Sequence, residues 1–151
     1  MKSSELVTTC MTAIESDDFK KAATLLSENF VLEGPVPKPA GKKEFLDLMR
    51  ALTGAIPDWA FNMSRLKEDG NNVELDIAIT GTHTRELNLS FMGMPVTPAT
   101  HRTIRLPKEH LTVAVKSNKI SSIRVRPVPG AGVKGILKQI GVEMIEESHM
   151  Y

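Results

Sequence analysis

A single cysteine, Cys10, stands among 151 residues. One thiol excludes an internal disulfide and fits a reducing compartment. Neither sign of charge prevails, with 19 Lys and Arg against 18 Asp and Glu and a formal net charge of +1. That balance argues against nucleic acid as a partner, which would need a basic stripe. Lys42-Lys43 and Arg124/Arg126 are short clusters of the kind a solvated face carries. No apolar run reaches the roughly 18 residues that span a bilayer, so no membrane partner is expected. The opening MKSSELVTT has no apolar stretch after its lysine, unlike a secretory signal, which points to a cytoplasmic chain. The four histidines, His83, His101, His110 and His149, show no metal-ligand spacing. There is no GxSxG motif and no P-loop, and Gly130-Ala131-Gly132 lacks the third glycine and following acid of a dinucleotide fingerprint. No internal repeat or low-complexity segment divides the sequence, which reads as one domain over residues 1–151.

What is present is strong patterning, clearest in Val73 to Thr84, VELDIAITGTHT. Alternate positions Val73, Leu75, Ile77 and Ile79 are apolar, then come Gly81 and His83 on the same parity. The other parity holds Glu74, Asp76, Thr80, Thr82 and Thr84. A strand with one buried face requires this alternation, because successive side chains point to opposite sides. His83 therefore arrives at the end of a dry face, where a pocket presents a polar group or a core histidine meets a backbone carbonyl.

The first third has helical periodicity. Leu6, Cys10 and Ile14, with Val7 and Met11 beside them, form a stripe behind Ser3/Ser4 as N-cap. Cys10 on that stripe reads as a core thiol. Asp17 or Asp18 caps a second helix carrying Phe19, Ala22, Ala23 and Leu26. Asn29 to Glu33 reads as a strand, and Gly34 to Pro39 as a loop stiffened by three prolines. A third helix buries Phe45, Leu48, Met49 and Leu52 and ends at Gly54 and Pro57.

Beyond Pro57 the period changes to two. Trp59, Phe61 and Met63 alternate with Ala60, Asn62 and Ser64, and Glu68 to Asn72 turns the chain into Val73 to Thr84 as a hairpin. Residues 86–99 form a long connection rich in Met, Pro and Gly, with Met92 and Met94 as adaptable apolar surface. Glu109, Leu111, Val113 and Val115 share one parity, and Ser117-Asn118 leads into Lys119 to Arg126. Pro127 to Gly132 stops the sheet, and a last helix with Ile136, Leu137 and Ile140 ends at Gly141. The tail with His149 and Tyr151 reads as frayed.

Three helices followed by two hairpins give an α+β plan, a curved antiparallel sheet with helices on one face. Such a cone leaves a small-molecule pocket at its open end. Parity aims His83 and Glu109 at the same apolar face, each at the end of its run, where they would meet as an acid–base pair. Trp59, Phe61, Met63 and Ile79 supply ligand-binding walls, joined by Met92 and His101 from the connection and its end.

Three stretches carry a family resemblance: GTHT (Gly81 to Thr84), FMGMPVTPAT (Phe91 to Thr100) and GILKQIGV (Gly135 to Val142). With the order of elements, they make the chain resemble the SnoaL-like polyketide cyclases of the nuclear transport factor 2-like superfamily, over about residues 5–142. The resemblance implies a cone-shaped barrel enclosing a pocket, a homodimer, and action on an apolar ring compound without metal or organic cofactor. The sheet's outer face, with Thr80, Thr82, Thr112, Ala114 and Arg124, is the expected dimer contact. The departures matter as much. The family's GTHTG ends here in Arg85, and its PTG step becomes Ala99-Thr100-His101. Its catalytic aspartate, just before the last helix, falls on Gly132. Glu109 is the only carboxylate between Arg102 and Glu143. Aldol-type cyclisation, which in the family relies on that aspartate, is therefore not expected. What remains is a cofactor-free isomerase, lyase or cyclase using His83 and Glu109, or a non-catalytic binding or dimeric interaction module.

Overall fold

The computed structural model describes residues 1–34 and 39–142. Most of the proline loop, residues 35–38, and the tail with His149 and Tyr151 lie outside the described residues. Two helices open the chain, α1 (Ser3–Glu15) and α2 (Phe19–Leu25). The expected stripe of α1 is buried in full: Leu6, Val7, Cys10, Met11 and Ile14 all lie in the core. Burial pushes the Cys10 thiol up to about 12, which leaves it protonated and inert. The cap differs from expectation. Lys2 is the N-cap, and Glu5 Oε1 accepts from its backbone N–H at 2.9 Å. Asp18 caps α2 by accepting from the Lys21 N–H at 3.1 Å.

Strand β1 (Leu26–Glu33) and the short β2 (Ala40–Gly41) lead into α3 (Lys42–Ala55). Glu44 Oε1 accepts from the Gly41 N–H at 2.6 Å, satisfying one donor the helix start leaves open. The α3 residues Phe45, Leu48, Met49 and Leu52 face inward, each worth about 1.5–3 kcal/mol of burial. Strands β3 (Ser64–Asp69), β4 (Asn72–Ile77), β7 (Glu109–Lys116) and β8 (Lys119–Val125) complete a six-stranded sheet in the order β2-β1-β8-β7-β4-β3. Strands β5 (Thr80–Thr82) and β6 (Thr103–Arg105) form a separate two-stranded ladder. Helix α4 (Gly132–Gln139) closes the described fold.

The class is the expected α+β, with three corrections of detail. The main sheet is mixed, because β1 runs parallel to β8 while the other pairs are antiparallel. The barrel is not closed, since β5 and β6 pair with each other outside the main sheet. The stretch Val73 to Thr84 is two strands rather than one. Its partner β7 begins at Glu109, opposite Ile77, so the ladder ends there. The chain then takes Ala60 and Phe61 as neighbours, through Ala78 N–H to the Phe61 carbonyl at 2.8 Å and Thr80 N–H to the Ala60 carbonyl at 3.0 Å. Alternation survives the break: Val73, Leu75, Ile77, Ile79, Gly81 and His83 are all buried. Residues Trp59 to Met63 likewise bury alternate side chains without forming a regular strand. The edge strand β3 is exposed along its length and charged, which discourages pairing with another edge.

On the outer side of β4 and β7, His110 bridges Asp76 through Nδ1 and Glu74 through Nε2, both at 2.9 Å. The Asp76 bond first, then that of Glu74, raises the imidazole above its ordinary range, and His110 in turn lowers Asp76. The bridge ties these two neighbouring strands together at the level of Glu109.

Backbone contact fixes α4 against the loop that precedes it. A Cβ on Gly135 would sit 2.0 Å from the Gly130 carbonyl oxygen, so no side chain fits there without moving main chain. Gly130 and Gly132 both hold positive φ, at 86° and 73°. We therefore expect Gly135→Ala to destabilise the protein by about 1–3 kcal/mol in urea unfolding. An unchanged midpoint would show that the loop gives way freely.

Candidate acid–base pocket

Glu109 is the first residue of β7, and alternation with Leu111, Val113 and Val115 turns its side chain inward. It is only 4% exposed. No hydrogen bond or ion pair to its carboxyl occurs among the described residues. Its environment is an apolar cavity of about 100 Å³ walled by α3, the sheet and α4, including Phe45, Leu52, Trp59, Phe61, Leu111 and Ile136. Desolvation without a compensating donor pushes the Glu109 carboxyl up to about 7. A carboxyl in that range exchanges protons readily near neutral pH.

Glu109 also borders a second space, an outer cleft of about 480 Å³ along the Pro127–Gly132 loop and α4. Gly132 is the other residue common to the inner cavity and the outer cleft. Glu109 therefore stands at a neck between a dry interior and an open groove.

The structure gathers half of the residues expected at the site. Trp59, Phe61, Ile79 and Glu109 line the inner cavity, whereas His83, Met63, Met92 and His101 are not among its walls. Met63 and Met92 are partly buried and pack on the core from outside the cavity. His101 is exposed, with a left-handed φ of 58°. His83 is sealed completely at 0% exposure. Its Nδ1 accepts from the Thr100 backbone N–H at 3.2 Å and lies 2.8 Å from the Thr100 hydroxyl. With Nδ1 accepting, the proton of the neutral ring belongs on Nε2, which is buried without a hydrogen-bond partner among the described residues. Burial holds the His83 pKa below the ordinary imidazole range; the nearby Arg85 carbonyl opposes this without completing a bond to Nε2. His83 also joins the chain ends of the long connection, donating its N–H to the Arg102 carbonyl at 2.9 Å and accepting from His101 at 2.8 Å. His83 and Glu109 are thus not hydrogen-bonded to each other, because the connection folds over the imidazole before it reaches the cavity.

Sequence reasoning placed the other cavity walls in the core without separating core from cavity. Phe45, Leu48 and Leu52 share the helical stripe of α3, and Ile136 that of α4, and periodicity reads only which face is buried. Whether a buried face meets another side chain or a void depends on the sheet's curvature. Trp59 is 4% exposed, its ring T-shaped against Phe61 at 5.8 Å, and its Nε1 has no partner among the described residues. No group of three or more His, Cys, Asp or Glu among the described residues is placed to hold a metal. No helix among them is long and apolar enough to cross a membrane.

The architecture defines the class. The solved structure of IdmH, a candidate polyketide cyclase from Streptomyces antibioticus, superposes with a TM-score of 0.69 at 18% identity, covering 94% of this chain and 100% of that one. AclR, a candidate hydroxylase from Streptomyces galilaeus, gives 0.71 at 17% identity over 92% of this chain and 95% of that one. A nuclear transport factor 2-like protein of unknown function from Cytophaga hutchinsonii gives 0.58 at 20% identity over 85% and 92%. The fold is thus the nuclear transport factor 2-like one, which hosts different chemistries. The SnoaL-like domain family matches residues 7–123, and the chain belongs to it. No curated protein sequence matches it.

The resemblance carried by Gly135 to Val142 makes the surroundings of Gly132 informative. The position to which the resemblance assigns a catalytic aspartate borders the same two spaces as Glu109. Its φ of 73° lies in the left-handed region that glycine adopts freely.

The raised Glu109 pKa has a consequence for stability. The unfolded carboxyl ionises near 4.5 and the folded one near 7, so stability falls as pH rises between those values. Glu109→Gln should therefore match the parent protein in urea unfolding at about pH 4, below the unfolded pKa. At pH 8 it should exceed it, by up to about 3 kcal/mol. Titrations of His110 and Asp76 are common to both proteins and cancel. Equal stability at pH 8 would mean that the carboxylate is solvated or paired.

Proposed function

We propose that this protein is a small-molecule enzyme of the cyclase–isomerase type, moving a proton on an apolar ring compound without a cofactor. The observation that carries the reading is the unpartnered Glu109 carboxyl at the neck of an apolar cavity, with a pKa of about 7. As carboxylate it removes a proton from a carbon next to a carbonyl, and the C–H electron pair moves into the enolate. As carboxylic acid it returns that proton to a different atom of the same ligand. The step is redox-neutral, and one group serves both directions. The base role that sequence alone gives to His83 passes to Glu109 in this reading. His83 acts instead as a positioning residue that holds the 100–102 turn. Trp59, Phe61 and Ile79 are the proposed ring contacts.

A second reading, a binding module without catalysis, is favoured by Gly132, which leaves the family's aspartate position without a side chain. The inner cavity, at about 100 Å³, is also below the roughly 300–1,000 Å³ of pockets that enclose drug-sized ligands. A bound ring would fill it while the remainder of the molecule lies in the outer cleft.

The two readings separate in one assay. Solvent deuterium exchange at the carbon beside the carbonyl of 1-indanone, followed by NMR, should be accelerated by the protein with an apparent pKa near 7. Glu109→Gln should lower that acceleration by about 10²–10⁴-fold. His83→Ala, checked for folding by circular dichroism, should keep most of it. Binding of the ketone without any acceleration would select the binding module.

We also propose a homodimer through the outer sheet face. Thr112 and Ala114 are half-buried there and Arg124 is engaged with Glu33 at 3.2 Å, whereas Thr80 and Thr82, expected on that face, lie on β5 in the separate ladder. Small and β-branched side chains on one face allow flat packing. Light scattering should give twice the 16.6 kDa chain mass at micromolar concentration; a monomer mass would refute the dimer.

A further inference from the structure

The outer cleft has a chemistry of its own. Its walls carry Lys134 and Lys138, one helical turn apart on α4, both exposed and without an ion-pair partner among the described residues. Helix α4 begins with Ala131 as N-cap, with no side-chain cap and no acidic residue in its first turn. The N–H groups of Gly132, Val133 and Lys134 belong to the turn that a helix leaves without internal acceptors, and they carry the positive end of its dipole.

Helix starts of this kind are common and prove nothing alone. Here a second observation points to a ligand. Glu109, 4% exposed and without a partner among the described residues, borders the same cleft. Among the described residues it is also the only carboxyl on the cleft wall, and burial alone governs its shift, so neither lysine sits close enough to hold it ionised. Around neutral pH the fixed charge of the cleft is therefore positive on the α4 side. The carboxyl at the neck is close to half protonated. Among the described residues, Glu109 is the only ionisable one on the wall of the inner cavity beyond it.

We propose that the ligand is an apolar ring bearing an acidic group: the ring enters the inner cavity past Glu109, and its carboxylate rests in the outer cleft between the first turn of α4 and Lys134 and Lys138. This rests on the cavity reading above and adds to it the charge of the substrate. An acid head on the lysine side keeps its distance from Glu109, while the ring's reacting carbon comes level with the neck. Neutral rings would enter the same cavity and lack the anchor.

The test compares 2-naphthoate with 2-naphthamide, which share ring and shape and differ in charge, by isothermal titration calorimetry at low salt and pH 7.5. Naphthoate should bind about tenfold more tightly, and the preference should shrink as salt is raised. In Lys134→Gln/Lys138→Gln, both at exposed positions and so compatible with folding, the preference should fall to about twofold while amide affinity stays unchanged. Equal affinity of the two compounds for the parent protein would overturn the acid anchor and leave the cavity reading standing. A naphthoate preference that survives the double substitution would overturn the placement on α4. If neither compound binds, the cavity reading fails and the acid anchor falls with it.

Discussion

Keeping one carboxyl in an apolar wall without a partner is the constraint on which the site depends. Ionising a buried carboxyl costs free energy unless a donor or a cation compensates, and Glu109 has neither among the described residues. The surrounding fold maintains that condition. Leu111, Val113 and Val115 continue the dry face of β7, β4 covers one flank from Ile77, and α3 and α4 roof the cavity. The polar partners that could have relaxed it are engaged elsewhere. His110, the next residue, points to the opposite face and is held by Asp76 and Glu74.

Loop geometry sets where that carboxyl meets solvent. The Pro127–Gly132 loop turns on glycines with positive φ and is locked to α4 by the close approach of Gly130 and Gly135. That contact places the start of α4 beside the neck. Gly132, at the end of that loop, borders the same two spaces as Glu109. The resemblance implies a carboxyl at that loop position; among the described residues the sole carboxyl bordering both spaces comes from β7. A strand residue is held by ladder hydrogen bonds and packing on both sides, which suits a group that must keep a set position.

Much of this was legible before any coordinates, because burial of alternate or every-fourth positions is a local property. The inward parity of Glu109, the stripes of α1 and α3, the helix ending at Gly141 and the hairpin turns all follow from it. What was not legible depends on partners distant in sequence. The parallel pairing of β1 with β8 and the break after Ile77 follow from where β7 begins and what lies beside it. His83 shows the limit most clearly. Its parity is inward as expected, yet Thr100 takes its Nδ1, and the connection that brings Thr100 there has no period to read. Lys134 and Lys138 went unremarked because two exposed lysines on a short helix are ordinary until a cleft is seen beside them.

The central claim is that Glu109 is an unpaired, desolvated carboxyl. The direct measurement is its pKa, from the side-chain carboxyl carbon shift in protein labelled with ¹³C at glutamate, assigned through the loss of one signal in Glu109→Gln. The account predicts a titration midpoint about 7, well above the ordinary glutamate value of 4.5. A midpoint near 4.5 would mean that the carboxyl is hydrated or paired, and the proton-transfer role assigned to it would not stand.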